Sequence, residues 1–335
     1  TLLGKDLVGR RYEPVFDYFA DKADEDAFVV ISGDYVTTDS GTGLVHQAPA
    51  FGEEDYKAFQ AAGLEAFACP VSLHGEFTDE VPDFAGRHVK EADKDIISAL
   101  KAKDALYRQD VIQHSYPYCY RSDTPLIYRA IPSWYVRVTA FKDNLKAANE
   151  QINWVPEHIK HGRFGNWLDG AIDWAISRNR VWGTPLPVWV NDETGKALCV
   201  GSIDELYDYT GVRVDDLHRE HVDDLTFQVE GEPGTYRRIE EVLDCWFESG
   251  SMPYAQLHFP FENEDVFNAG FPAEFIAEGL DQTRGWFYTL TVLGGALFDQ
   301  PAFRNVIVNG MVMAEDGKKM SKSLRNYTCL LYTSP

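Results

Sequence analysis

Residues 283–298 form a nearly unbroken apolar run, with Trp286, Leu290, Leu293 and Leu297 at helical spacing, set between two short strand-like stretches at 274–277 and 305–313. Strand, helix and strand in that order predict a βαβ unit, because parallel neighbours need a crossover long enough to return along the sheet. In such sheets ligands bind beyond the C-terminal ends of the strands. Residues 278–282 and 318–323 follow those two strands, so both are expected to face one crevice.

Upstream, 28–32 and 43–46 read as short β-branched strands separated by the turn residues Asp39-Ser40-Gly41-Thr42. A helix is predicted over 53–62. Its first turn carries Glu53, Glu54 and Asp55, and Gly63 stands where a left-handed cap would end it. Ile96, Ile97 and Leu100 mark a second helix over 92–103. From 111 to 138 the composition turns to Tyr, Pro and Arg, with strand-like pieces at 126–128 and 134–136, as in a connecting ribbon. A second body then begins near Ala140 and is interrupted between about 191 and 238 by an acidic, glycine-containing insertion.

The chain has 335 residues, of which 44% are hydrophobic, so a folded protein with more than one core is expected rather than disorder. Its 53 acids and 31 bases leave a net charge of -22, which excludes a general nucleic-acid coat, since non-specific affinity comes from cations that release phosphate counterions. Any RNA contact must be local. No apolar stretch is long enough to cross a bilayer and no basic-then-apolar leader opens the sequence, which therefore reads as soluble and cytoplasmic. Cys69, Cys119, Cys199, Cys245 and Cys329 are scattered, with no Cys-x-x-Cys pair, so free thiols are expected in place of a disulfide framework or a local zinc site. The chain opens on Thr1, and it reads as an internal piece of a longer protein.

Three clusters could do chemistry. Asp316-Gly317-Lys318-Lys319-Met320-Ser321-Lys322-Ser323 puts three ammonium groups and two hydroxyls on one loop after an apolar strand. It lacks the spacing of a P-loop, so it would hold phosphate with side chains, each lysine–phosphate pair contributing roughly 4 kcal/mol before desolvation. Taken alone, the loop is equally a solvated lysine turn. Glu278-Gly279-Leu280-Asp281-Gln282-Thr283-Arg284-Gly285-Trp286-Phe287 offers two carboxylates and an amide just past a strand, suited to an ammonium group and ribose hydroxyls. The same residues also suit a capped helix start with Trp286 in the core. In the third cluster, 41–55, His46 ends a predicted strand and Asp55 lies on the following helix's first turn, where acids are common for purely structural reasons.

Four ordered blocks resemble the isoleucyl-tRNA synthetase family of class I aminoacyl-tRNA synthetases: Lys319-Met320-Ser321-Lys322-Ser323, residues 278–287, Ile176-Ser177-Arg178-Asn179-Arg180-Val181-Trp182-Gly183-Thr184-Pro185, and Leu243-Asp244-Cys245-Trp246-Phe247-Glu248-Ser249-Gly250. The resemblance runs from about 41 to 327. It implies an α/β fold: the second half of a Rossmann-like catalytic domain over 141–327, a ribbon over 111–140, and part of a mixed α/β editing (connective peptide) domain over 1–110. It also implies that Lys319 and Lys322 are catalytic, with Ser321 and Ser323 beside them on ATP, and that Glu278, Gly279, Asp281 and Gln282 contact the aminoacyl-adenylate. Trp246 and Trp286 would line the isoleucine side-chain pocket. In the editing block, Asp55 would capture the amino group of a misattached amino acid and His46 would contact the terminal adenosine of tRNA. Such a second site has a physical reason: one methylene distinguishes isoleucine from valine by only about 1–3 kcal/mol, the family being itself the standard example.

The implied substrates are isoleucine, ATP with Mg2+ and tRNA(Ile), and the implied enzyme is monomeric. Ser122 and Asn191-Asp192-Glu193-Thr194 stand where some bacterial relatives carry paired cysteines, so no zinc or other bound metal is expected, and with Asn309 they resemble the eukaryote-like branch. The rival readings are a valine-specific synthetase, disfavoured by Asp244-Cys245-Trp246-Phe247-Glu248-Ser249-Gly250, and a non-catalytic tRNA-binding piece. Elements that the family places upstream of Thr1 are missing, so the piece alone is expected not to form adenylate. Residues 328–335 read as a foreign tail.

Overall fold

A computed structural model describes residues 2–39, 41–111, 113–119, 122–321 and 324–327, excepting the side chains of 23–25. The chain divides into two compact units, Thr1–Pro132 and Ser133–Pro335.

In the first unit, helix α1 spans Glu53–Ala61, with all three acids in its first turn and Gly63 at φ +67°, as the sequence pattern predicts. Helix α2 spans Val89–Ala102 and starts earlier than its apolar spacing suggests, because His88 caps it: the Nδ1 of His88 accepts the Lys90 N–H at 3.3 Å. Val81, Phe84 and Ala92 form the buried core here, with Phe16, Phe19, Phe77 and Ile96 packed on it. The three strands expected in this unit are absent among the described residues. Residues 28–30 bond to 9–12 around the Val29–Arg11 bridge without becoming a strand, since Phe28 takes a left-handed φ of 55° that breaks the pleat. Residues 43–46 have no ladder partner, and Leu44 and Val45 are each 57% exposed. Around 126–128 pairing goes no further than the Tyr118–Pro125 bridge and the Leu126 N–H, which donates to the Pro117 carbonyl at 3.1 Å.

In the second unit, β1 (Tyr135–Val136) leads to α3 (Lys142–Glu150), β2 (Asn153–Val155) and α4 (Gly165–Asp169), and then β3 (Trp174–Ala175) pairs antiparallel with β1. Next, β4 (Ser177–Arg178) precedes the insertion. The insertion is an antiparallel sheet of β5 (Val188–Asn191), β6 (Ala197–Cys199) and β7 (Tyr236–Arg238), in the order β6-β5-β7. Helices α5 (Ile203–Thr210) and α6 (Arg219–Val222) lie between β6 and β7. Trp189, Val200, Leu206, Phe227 and Tyr236 give it a core of its own. Its first turn is tied by Asn191, whose Oδ1 accepts the N–H groups of Glu193 and Thr194 and whose Nδ2 donates to the Pro233 carbonyl at 2.8 Å.

The chain returns along β8 (Val242–Leu243), antiparallel to β4, and continues through α7 (Cys245–Ala255) and α8 (Glu264–Gly270). The last pieces are β9 (Ile276–Gly279), α9 (Trp286–Phe298) and β10 (Asn305–Asn309). β10 lies parallel between β2 and β9, with Val306 beside both Trp154 and Ile276. This is the predicted βαβ unit within a three-stranded parallel sheet. The strands are shifted or shortened from expectation: β9 begins two residues later than predicted, and β10 stops at Asn309, short of Met313.

Residues 287–295 of α9 are buried without interruption, the pattern of a helix covered on most sides. Leu297, expected on its inner face, is 56% exposed, because the helix is leaving the core when Asp299, at φ 53°, ends it. Leu145, Trp154, Phe164, Phe287 and Phe303 lie at the centre of the packing between this helix and the sheet. Among the described residues no helix is long and apolar enough to cross a membrane, and no group of three or more His, Cys, Asp or Glu side chains is arranged to hold a metal.

Candidate functional site

The turn after β9 is built to present side chains. Glu278 is exposed at the strand end, opposite Val308 in register. Residues Leu280–Arg284 then form a 3₁₀ turn, and Gly285, at φ −144° and ψ −118°, separates it from α9, so the single helix predicted from Thr283 is two elements. A methyl group on Gly279 would fall 2.7 Å from Oδ1 of Asp281; glycine there lets the exposed carboxylate fold back over the backbone. Gln282 caps the helix, its Oε1 accepting the Trp286 N–H at 2.9 Å. Thr283, not among the residues expected to bind, is fully buried: its Oγ1 donates to the Leu280 carbonyl at 2.8 Å and accepts from Nε of Arg163 at 2.9 Å.

Trp246 and Trp286 come together on this turn. Asp244 caps α7 by accepting the Trp246 N–H at 3.1 Å, and the indole of Trp246 then lies against Gly285, where an added methyl would sit 3.1 Å from Cη2. Nε1 of Trp286 donates to the Ser249 carbonyl at 3.0 Å, which ties the start of α9 to the first turns of α7. Gly250 allows the helices to approach, since a methyl there would meet Cδ1 of Leu293 at 2.9 Å and Cβ of Thr289 at 3.1 Å. Trp246 keeps 40% of its surface exposed and Trp286 is half-buried, so neither is consumed by the core.

Beside α7, Arg178, Arg180, Trp182, Thr184, Asp244 and Glu248 border a cavity of about 490 Å³. Nη2 of Arg178 meets Oδ2 of Asp244 at 2.6 Å, and the same oxygen accepts Nε1 of Trp174 at 3.2 Å. Oε1 of Glu248 accepts the Thr184 N–H at 3.2 Å, and Trp182 stacks on His218 with centroids 4.5 Å apart. Partial desolvation raises the pKa of the exposed Cys245 thiol, with Asp244 adding to the effect. The sequence marks both blocks that border this cavity, yet only Trp246 was singled out from them; the alternation of Arg, Trp and acid was the available signal.

After β10, the lysine loop is a small hairpin. Met313 bridges Lys319, Ala314 N–H donates to the Lys318 carbonyl at 2.8 Å, and Gly317 takes φ +72° at the tip. Asn326 fastens its base: Oδ1 accepts the Ser321 N–H at 2.9 Å and Nδ2 donates to the Lys319 carbonyl at 3.2 Å. Lys319 is exposed, and Ser321 is half-buried. Lys322 and Ser323 lie outside the described residues. Since Asn309 pairs with Gly279 across β10 and β9, the two candidate loops leave the same end of the parallel sheet.

In the first unit, Asp55 reaches back across the turn before α1, its Oδ2 accepting the Ala48 N–H at 3.1 Å. A methyl on Gly52 would lie 2.7 Å from that oxygen, so glycine is what lets the carboxylate approach. His46 is exposed on the preceding segment, and no hydrogen bond joins it to Asp55 among the described residues.

Residues 21–332 match the family described as tRNA synthetases class I (I, L, M and V). The chain is 61% identical over 324 residues to the isoleucine–tRNA ligase of Bdellovibrio bacteriovorus, covering 97% of this chain and 30% of that protein. It is 56% identical to the isoleucine–tRNA ligase of Treponema denticola, covering 98% of this chain and 31% of the relative. To the cytoplasmic isoleucine–tRNA ligase of Arabidopsis thaliana it is also 56% identical, covering 97% of this chain and 28% of the relative. The chain thus spans about a third of the length of these relatives. A βαβ unit that carries both the lysine loop and the Glu278–Trp286 turn at one sheet end, together with a family match over nearly its whole length, means that this chain belongs to the class I tRNA synthetases.

Proposed function

We propose that the intact protein containing this chain is an isoleucine–tRNA ligase, which joins isoleucine to ATP with release of pyrophosphate, transfers the acyl group to tRNA(Ile), and hydrolyses valyl-tRNA formed in error. The observation that carries the reading is the meeting of Trp246 and Gly285–Trp286 beside Asp281 and Gln282: a partly exposed aromatic wall next to polar groups. An aliphatic side chain packs on such a wall while its ammonium group and the adenylate ribose bind the polar rim of Glu278, Gly279, Asp281 and Gln282. The name shared by the relatives at 56–61% identity supports the same substrate.

ATP, carrying Mg2+, lies across the sheet end with its phosphates toward Lys319, Ser321, Lys322 and Ser323. Lys319 and Lys322 neutralise charge that moves onto the leaving pyrophosphate, a contribution that grows toward the transition state and so accelerates the reaction. In the first unit, taken as the distal part of an editing domain, Asp55 holds the ammonium group of a misattached valine and His46 meets the terminal adenosine. The intact enzyme works in the cytoplasm as a monomer.

The test is amino-acid-dependent pyrophosphate exchange by the full-length protein. Exchange driven by isoleucine, with valine supported far more weakly, is expected; exchange driven chiefly by valine, or by neither, overturns the assignment.

A further inference from the structure

The segment 176–184 and the start of α7 are fastened at two points by carboxylates one helical turn apart. At one, Asp244 accepts Arg178 and Trp174 through Oδ2 and the Trp246 N–H through Oδ1, while its own N–H donates to the Ile176 carbonyl at 2.7 Å. At the other, Glu248 accepts the Thr184 N–H. Between them β4 and β8 pair, Ser177 with Leu243 and Arg178 with Val242. The Asp244 side chain is 5% exposed, and Arg178 is held further by Nη1, which donates to the carbonyls of Ala175 and Ser177 at 2.8 Å each. A buried carboxylate with all its partners fixed is rigid, and here its second oxygen holds the backbone of Trp246 itself.

We infer that Arg178 and Asp244 are positioning residues for Trp246, which set where its indole stands against Gly285–Trp286 and with it the discrimination between isoleucine and valine. Neither touches the amino acid in this arrangement; both act through the indole. The path is short: Arg178 guanidinium, Asp244 carboxylate, Trp246 N–H, and an indole that meets the next element at Gly285 with no room for a methyl group. The inference rests on the reading that Trp246 lines the amino-acid pocket.

The experiment compares wild type, Asp244→Asn, Arg178→Lys and Trp246→Phe in the full-length protein. Asparagine remains a good helix cap, so D244N keeps α7 while weakening the tie to Arg178; lysine keeps the charge but loses the fork that bonds three acceptors. Both variants are expected to raise the KM for isoleucine by about tenfold, the loss of one charged hydrogen bond, with the KM for ATP changed by less than about twofold. The preference for isoleucine over valine in kcat/KM should narrow. Independently of substrate, the part of the tryptophan emission removed by W246F should shift in D244N.

A rise in both KM values together, or unchanged kinetics in both variants, overturns the inference. If wild type does not exchange with isoleucine, it is the proposed function that fails; the emission readout still decides the positioning, and an unchanged Trp246 contribution overturns it.

Discussion

Gly285 and the indole of Trp246 are in such close approach that a β-carbon on Gly285 would stand 3.1 Å from Cη2 of the ring and 2.7 Å from Oε1 of Gln282. Gly285→Ala must therefore displace the ring, the amide or both. An overpacked site of this kind costs about 1–3 kcal/mol, and the isoleucine KM should rise about tenfold or more, since a misplaced wall forfeits at least one well-made contact. Steady-state exchange kinetics alongside thermal unfolding check both parts.

Thr283→Val keeps the shape of the side chain and removes its hydroxyl. The half-buried Leu280 carbonyl and Nε of Arg163 then lose the partner that the buried hydroxyl supplies. Destabilisation of about 1–3 kcal/mol is expected, measured by denaturant unfolding of the full-length protein, and Thr283→Ser should recover most of it.

Lys319→Ala removes an exposed ammonium group and leaves the backbone bonds to Asn326 and Met313 in place. Stability should be unchanged within about 0.5 kcal/mol, while isoleucine-dependent exchange falls by about 100-fold, the usual effect of deleting one donor to developing negative charge. Normal exchange in this variant would remove Lys319 from the chemistry.

Asp55→Asn preserves an acceptor for the Ala48 N–H but not the charge that would bind an ammonium group. Activation of isoleucine should be unaffected and valyl-tRNA should accumulate. Measuring deacylation of pre-formed valyl-tRNA checks this, and normal clearance would leave Asp55 with only its role in the turn.

Asp192 titrates below the ordinary carboxyl range, chiefly because it accepts the Thr235 N–H and also because Arg237 lies beside it. A carboxyl whose pKa is depressed on folding stabilises the fold above its unfolded value, here 3.8, and that contribution is lost as the pH falls through the lower folded value. Acidification from about pH 5 to 2 should thus weaken the insertion in wild type more than in Asp192→Asn, the two converging at the acid end. Denaturant unfolding followed across that range tests the sign.

The parts of this fold that were legible in the sequence are those held by local rules. The first-turn acids of α1, glycine after it, and the apolar run of α9 between two strands all appear where periodicity and capping place them. The strand at 43–46 failed because β-branched composition says nothing about whether a partner exists, and the one at 28–32, which does meet 9–12, failed because the left-handed Phe28 was invisible. The split at Gly285 was missed for a related reason. A glycine inside a helical pattern looks like a minor defect until Trp246, from another block, is seen against it. Among candidate residues, Trp246, Trp286 and Gln282 converge, but Asp244 and Arg178 emerge only from distances, since their role lies in a tie between segments far apart in sequence.

The insertion leaves the main body along β5 and rejoins it along β7, with Trp189 directly opposite Arg238. Its two ends are therefore neighbours, joined by their own ladder, and the chain between them has a core of its own and touches the main body where His218 stacks on Trp182 and Arg219 donates to the Arg180 carbonyl. Chain added to or trimmed from the insertion away from His218 and Arg219 is absorbed without moving β4, β8 or the tryptophans beyond them. The main body can in this way tolerate large differences in length at one place, as a socket tolerates different fittings, while the spacing of its own elements stays the same.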